Sequence, residues 1–110
     1  MIKPSKVIFA DKRLEDAYFG LKEDEPLKKA IKRAIEKIKQ NAFSGEPIAK
    51  SLIPKPYVQK YRIDNLWWLP LSRKARLVYS ITTPNEVEIL SIIIEFFDDH
   101  KDYERRFGYS

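Results

Sequence analysis

The alternation of apolar and polar positions is strongest between 75 and 97, and it predicts the hairpin on which the rest of the chain is organised. From Ala75 to Thr82, Leu77, Tyr79 and Ile81 fall on one face and Arg76, Val78 and Ser80 on the other. That period of two predicts a strand with one wetter side, to which Arg76 belongs. Val87 to Phe97 is apolar on both parities: Leu90, Ile92, Ile94 and Phe96 point one way, and Val87, Ile89 and Ile93 the other. Such a pattern predicts an interior strand. Between the two, Thr83-Pro84-Asn85-Glu86 supplies a fixed φ and a residue tolerant of left-handed geometry, so an antiparallel hairpin is expected.

Upstream the period changes. Val7-Ile8-Phe9 predicts a short strand within Lys6 to Ala10. Asp11 stands where a helix cap is needed, and Leu14, Ala17, Tyr18 and Leu21 follow at i, i+3, i+4 and i+7. Pro26 opens a second helix, with Leu27, Ala30, Ile31, Ala34, Ile35 and Ile38 on one face. Lys28, Lys29, Lys32, Arg33, Glu36, Lys37 and Lys39 occupy the other. Two amphipathic helices joined by a short acidic link predict a hairpin that covers a sheet.

Gly45, Pro47, Pro54 and Pro56 predict a surface loop without regular hydrogen bonding from Asn41 to Pro56. Tyr57 to Ile63 is expected as a strand, with Lys60 and Arg62 on one parity. Leu66-Trp67-Trp68-Leu69 continues or re-forms it as far as Pro70. The paired tryptophans suit either base stacking or core packing. The fold class expected is α+β: an antiparallel-rich, four- to five-stranded sheet, an N-terminal two-helix hairpin on one face and a short C-terminal tail helix. The 110 residues suffice for one core, so a single domain over 1–110 is expected.

Composition narrows the chemistry. The chain has no cysteine, which excludes a disulfide framework and a thiolate metal site, and its single histidine argues against a zinc or iron centre. The longest apolar run, Ile89 to Phe97, is interrupted by Ser91 and Glu95 and falls short of the ~20 residues of a membrane span. Without a hydrophobic N-terminal stretch, the expected location is the cytoplasm. Net charge is +5 and unevenly spread. Lys50 to Arg76 holds seven bases against Asp64, whereas Glu86 to Glu104 holds seven acids against Lys101. The basic stretch is either a surface for a polyanion or a solvated face.

Three segments add a more specific signal. Ala75-Arg76-Leu77-Val78-Tyr79-Ser80-Ile81 has the form apolar-Arg-Leu-apolar-Tyr within a strand. Asp99-His100-Lys101-Asp102-Tyr103-Glu104 has the form His-x-x-Tyr, and Phe107-Gly108-Tyr109 closes the tail. Glu46-Pro47-Ile48 follows the second helix. With the order of elements, these segments resemble the RelE/ParE superfamily of toxins from toxin-antitoxin systems, in its RelE-like and YoeB-like branches. The resemblance implies a ribosome-dependent messenger-RNA endonuclease that needs no cofactor, silenced by a cognate antitoxin peptide. The partners implied are that peptide, the ribosome and mRNA, with no membrane and no small-molecule cofactor.

Metal-free RNA cleavage needs a base for the 2′-hydroxyl proton, cations for the developing phosphorane charge and an acid for the leaving 5′-oxygen. Arg76 suits the second role because guanidinium stays charged and holds two phosphate oxygens at once. His100 can act as acid or base, and Asp98, Asp99 and Asp102 beside it would raise its pKa. The resemblance makes Glu46 the base. In a helical tail Tyr103 lies one turn from His100, where it can orient the imidazole; equally, Tyr103 and Phe107 form a packing pair at i, i+4. Lys50, Lys55, Lys60, Arg62, Arg73 and Lys74 are the candidate RNA contacts. Two alternatives stay open: a ParE-like inhibitor of a topoisomerase without catalysis, and an inactive relative that only binds nucleic acid or protein.

Overall fold

The structure is a computed structural model that describes residues 3–108, apart from the side chain of His100. Its elements are β1 (Lys6–Phe9), α1 (Lys12–Phe19), α2 (Pro26–Gln40), a 3₁₀ turn (Ala42–Ser44), β2 (Glu46–Pro47) and a second 3₁₀ turn (Lys50–Leu52). These are followed by α3 (Lys55–Tyr61), β3 (Trp67–Pro70), β4 (Arg76–Thr82), β5 (Leu90–Phe97) and α4 (His100–Phe107). The fold is α+β, and the five strands lie in the order β1-β5-β4-β3-β2. The sheet is mixed rather than antiparallel-rich: β1 runs parallel to β5, and the other pairings are antiparallel. No tight turn ties β1 to β5. Both helices of the N-terminal half and three strands intervene, so the connection is long enough for a parallel crossover.

The first helix begins as its sequence dictates. Asp11 is extended and its carboxylate accepts the Leu14 amide at 2.8 Å, satisfying one of the free donors of the first turn. Pro26 sits in the first turn of α2. Leu14 and Tyr18 from α1 join Ile31, Ala34 and Ile38 from α2 over Leu69, Leu77, Tyr79 and Ile93 of the sheet. Lys28, expected among the solvated lysines, is instead buried. Its ammonium reaches the Leu21 carbonyl at 3.1 Å and Glu23 at 2.6 Å, which satisfies the charge where the α1–α2 link closes over it.

The opposite face is not the wetter side expected of it. Val78 and Ile94 pack there with Phe97, Leu66 and Ile63 under Tyr57 of α3 and Tyr103 and Phe107 of α4. The sheet is therefore covered on both faces. A bulge sets which residues face which core: Tyr79 pairs with Ile93 but Val78 pairs with Glu95, leaving Ile94 as the extra residue. Parity reverses there, so Phe97 rather than Phe96 joins Ile92 and Ile94, while Phe96 packs with Ile93. The hairpin loop is also longer than four residues. The Asn85 side chain accepts the Val87 and Glu88 amides at 2.9 and 2.8 Å, taking them out of the ladder, and Val87 is 95% exposed.

Two segments differ in kind from expectation. Tyr57 to Ile63 is not a strand; its first five residues complete helix α3, which has proline in its first turn and stops at Arg62 in the left-handed region (φ 54°). The helix sends both hydroxyls to carboxylates across the fold, Tyr57 to Glu95 and Tyr61 to Asp11. The stretch from Asn41 to Pro56 is likewise not irregular throughout, since Glu46 and Pro47 pair with Trp68 and Trp67 as an edge strand. Among the described residues no helix is long and apolar enough to cross a membrane.

Candidate functional site

Arg76 opens β4, opposite Pro70 on β3 and Phe97 on β5, on the face covered by α3 and α4. Its guanidinium carbon lies 4.4 Å from the centre of the Trp68 ring and 4.6 Å from that of Tyr103. The electron-rich faces of the two rings attract the cation. Its N–H groups are the donors that can take oxygen ligands. Among the described residues no carboxylate forms an ion pair with Arg76. The residue is half-buried.

Tyr103 is fixed from behind. Its ring stacks on Phe107 at 4.4 Å and meets Phe97 edge-on at 5.6 Å, and both Tyr103 and Phe107 are buried. The packing pair with Phe107 expected as one alternative forms, the same ring also meets Arg76, a contact the sequence did not suggest, and orientation of the His100 imidazole lies outside the described residues. Helix α4 starts from an Asp99 cap on the Lys101 amide (2.9 Å) and ends at Gly108, whose positive φ of 75° no side chain strains. A second tie holds it down: Arg106 donates to Glu95 of β5 at 3.2 Å, and Glu95 also accepts the Tyr57 hydroxyl. Burial, then that carboxylate, pushes the Tyr57 phenol far up, so it remains a donor at any physiological pH.

His100 is the first residue of α4, one helical turn before Tyr103; its side chain and Tyr109 lie outside the described residues. Glu46 pairs with Trp68, and Trp68 with Val78, so the register places Glu46 on the Arg76 face of the sheet. It is exposed on the edge strand, two strand spacings or roughly 10 Å across from β4. Arg76, Tyr103 and Glu46 therefore share one face, with Trp68 between them. Period-two alternation could not have revealed Trp68's part, because the face it takes depends on the pairing of β3 with β4.

The basic residues separate. Arg73 and Lys74 occupy the exposed turn directly before Arg76, Lys50 opens the second 3₁₀ turn, Lys55 opens α3, and Arg62 caps its end. Lys60 does not join them: it pairs with Asp11 at 3.3 Å and lies over the Tyr61 ring, beyond the end of β1. Nor does the cleft of about 470 Å³ beside α4 suit an anion, since Glu95, Asp98 and Asp102 line it with Arg105 and Arg106. No family model, curated protein or solved structure matches the chain.

Proposed function

We propose that this chain is a RelE/ParE-like toxin of the RelE and YoeB type, with α1 and α2 as its helical layer and α4 as its tail. On this reading it acts in the cytoplasm as a metal-free, ribosome-dependent mRNA endoribonuclease and is silenced by a cognate antitoxin peptide. The observation that carries the reading is the guanidinium of Arg76, held against the rings of Trp68 and Tyr103 and free of any carboxylate among the described residues. A guanidinium fixed by aromatic contacts and not paired with an acid is preorganised for two phosphate oxygens. In the reaction proposed, Glu46 takes the proton of the 2′-hydroxyl and the 2′-oxygen attacks phosphorus. The bond to the 5′-oxygen breaks as His100 supplies its proton, leaving a 2′,3′-cyclic phosphate and a 5′-hydroxyl. Arg76 carries the charge that builds on the phosphorane.

The decisive test separates rate from binding. Arg76→Ala should lower cleavage of ribosome-bound mRNA by about 10²-fold or more while ribosome association persists. Arg76→Lys should restore only part of it, because an ammonium neither stacks in the same way nor offers two parallel donors. The same ring contacts favour a second reading, in which Arg76 is a fixture of the second core and the chain is a ParE-like topoisomerase inhibitor or an inactive binding module. A wild-type protein that leaves mRNA intact with ribosomes present would select it.

A further inference from the structure

Tyr79 closes the motif strand, and its hydroxyl does work on the far side of the sheet from Arg76. The side chain is fully buried in the core under α1 and α2, where its hydroxyl donates to the Ala42 carbonyl at 2.7 Å and accepts the Gly45 amide at 2.9 Å. Burial pushes this phenol up, so it stays protonated and can keep both bonds. The segment it grips is the one between α2 and β2, whose next residue is Glu46. Gly45 is needed there for space: a Cβ would stand 2.6 Å from the Trp68 carbonyl oxygen and 2.9 Å from the Tyr79 hydroxyl. Ile48 then donates to the Leu66 carbonyl at 2.9 Å, which fixes the segment on its other side.

We propose that Tyr79 is a positioning residue: its hydroxyl and the bare Gly45 together hold residues 42–47 so that Glu46 is presented beside Trp68 on the face of Arg76. The inference rests on the reading of Glu46 as the base. Neither Tyr79 nor Gly45 touches substrate. Without the hydroxyl, the Ala42 carbonyl and the Gly45 amide lose their partner, and Glu46 is held mainly from its other side, by the short β2 pairing and the Ile48 bond to Leu66. A base displaced by a fraction of an ångström from its proton loses rate rather than affinity.

Tyr79→Phe conserves the ring and tests this with two readouts. Exchange of the Gly45 amide should accelerate, and kcat for ribosome-bound mRNA should fall roughly 10- to 100-fold with KM unchanged. Glu46→Gln combined with Tyr79→Phe should be no slower than Glu46→Gln alone, since a misplaced base and an absent base fail in the same way. Gly45→Ala, which leaves Tyr79 in place but drives a Cβ against the Trp68 carbonyl and the Tyr79 hydroxyl, should reproduce the kcat loss if Tyr79→Phe proves too unstable to assay. Unchanged Gly45 exchange, a loss confined to KM, or additive losses in the double variant would each overturn the proposal. If the wild type never cleaves, the endonuclease reading itself fails and the positioning role goes with it.

Discussion

At the scale of single residues, Asp11 carries more of the structure than its place in a short loop implies. Its carboxylate caps α1 through the Leu14 amide, accepts the Tyr61 hydroxyl at 2.7 Å and pairs with Lys60, so one side chain joins α1 to α3. These contacts, the Leu14 amide foremost and then Tyr61, hold its pKa near about 2, below the ordinary 3.8. A depressed carboxylate stabilises the fold fully above its unfolded value and loses that contribution as pH falls through the folded one. Asp11→Ala should therefore cost about 1 kcal/mol at neutral pH, the usual worth of a cap. The gap to wild type in urea denaturation should shrink as pH is lowered from about 4 to about 2. A gap that stays constant across that range would mean that the charge of Asp11 contributes nothing.

At the scale of elements, what sequence could reveal depended on whether one pattern had one solution. The stripe of α2 and the alternation of β4 fit a single period, and both elements form where they were expected. Tyr57 to Ile63 offered two solutions, because tyrosines at 57 and 61 share a face in a helix and in a strand alike. Proline in the first turn and distant carboxylates chose the helix. The bulge at Ile94 had no local signal, since three isoleucines in a row, Ile92 to Ile94, fit either parity. Of the candidate site, Arg76 and Tyr103 were legible as residues but their contact was not, for it depends on α4 folding back on β4. That return is held by Arg106 on Glu95, a partly exposed pair whose worth is discounted for solvent to about 1 kcal/mol. Arg106→Ala should thus speed amide exchange in α4 roughly fivefold while leaving α2 unchanged. Equal protection of α4 in both proteins would show that the aromatic contacts alone hold it.

At the scale of the whole molecule, net charge matters less than which cations are free to release counterions. The basic stretch from Lys50 to Arg76 counts seven residues, yet Lys60 is already neutralised by Asp11 and Arg76 is held against two rings. Lys50, Lys55, Arg62, Arg73 and Lys74 remain exposed, and among the described residues none of them pairs with an acid. The acidic stretch is correspondingly occupied, with Glu88 on Lys6, Glu95 on Arg106 and Asp102 near Arg105. An RNA strand bound along the free cations should displace about 0.7 counterion per phosphate neutralised. Lys55→Gln with Arg62→Gln should flatten the slope of log affinity against log salt by about 1.4 if both touch phosphate. Lys60→Gln should change it far less, because removing a cation from an existing ion pair frees Asp11 without removing a phosphate contact. Fluorescence anisotropy of a labelled single-stranded RNA across a salt series measures all three slopes. Flattening by Lys60→Gln of about 0.7, half that of the double variant, would show that the Asp11 pair opens on binding, and no flattening in either would remove this stretch from the nucleic-acid interface.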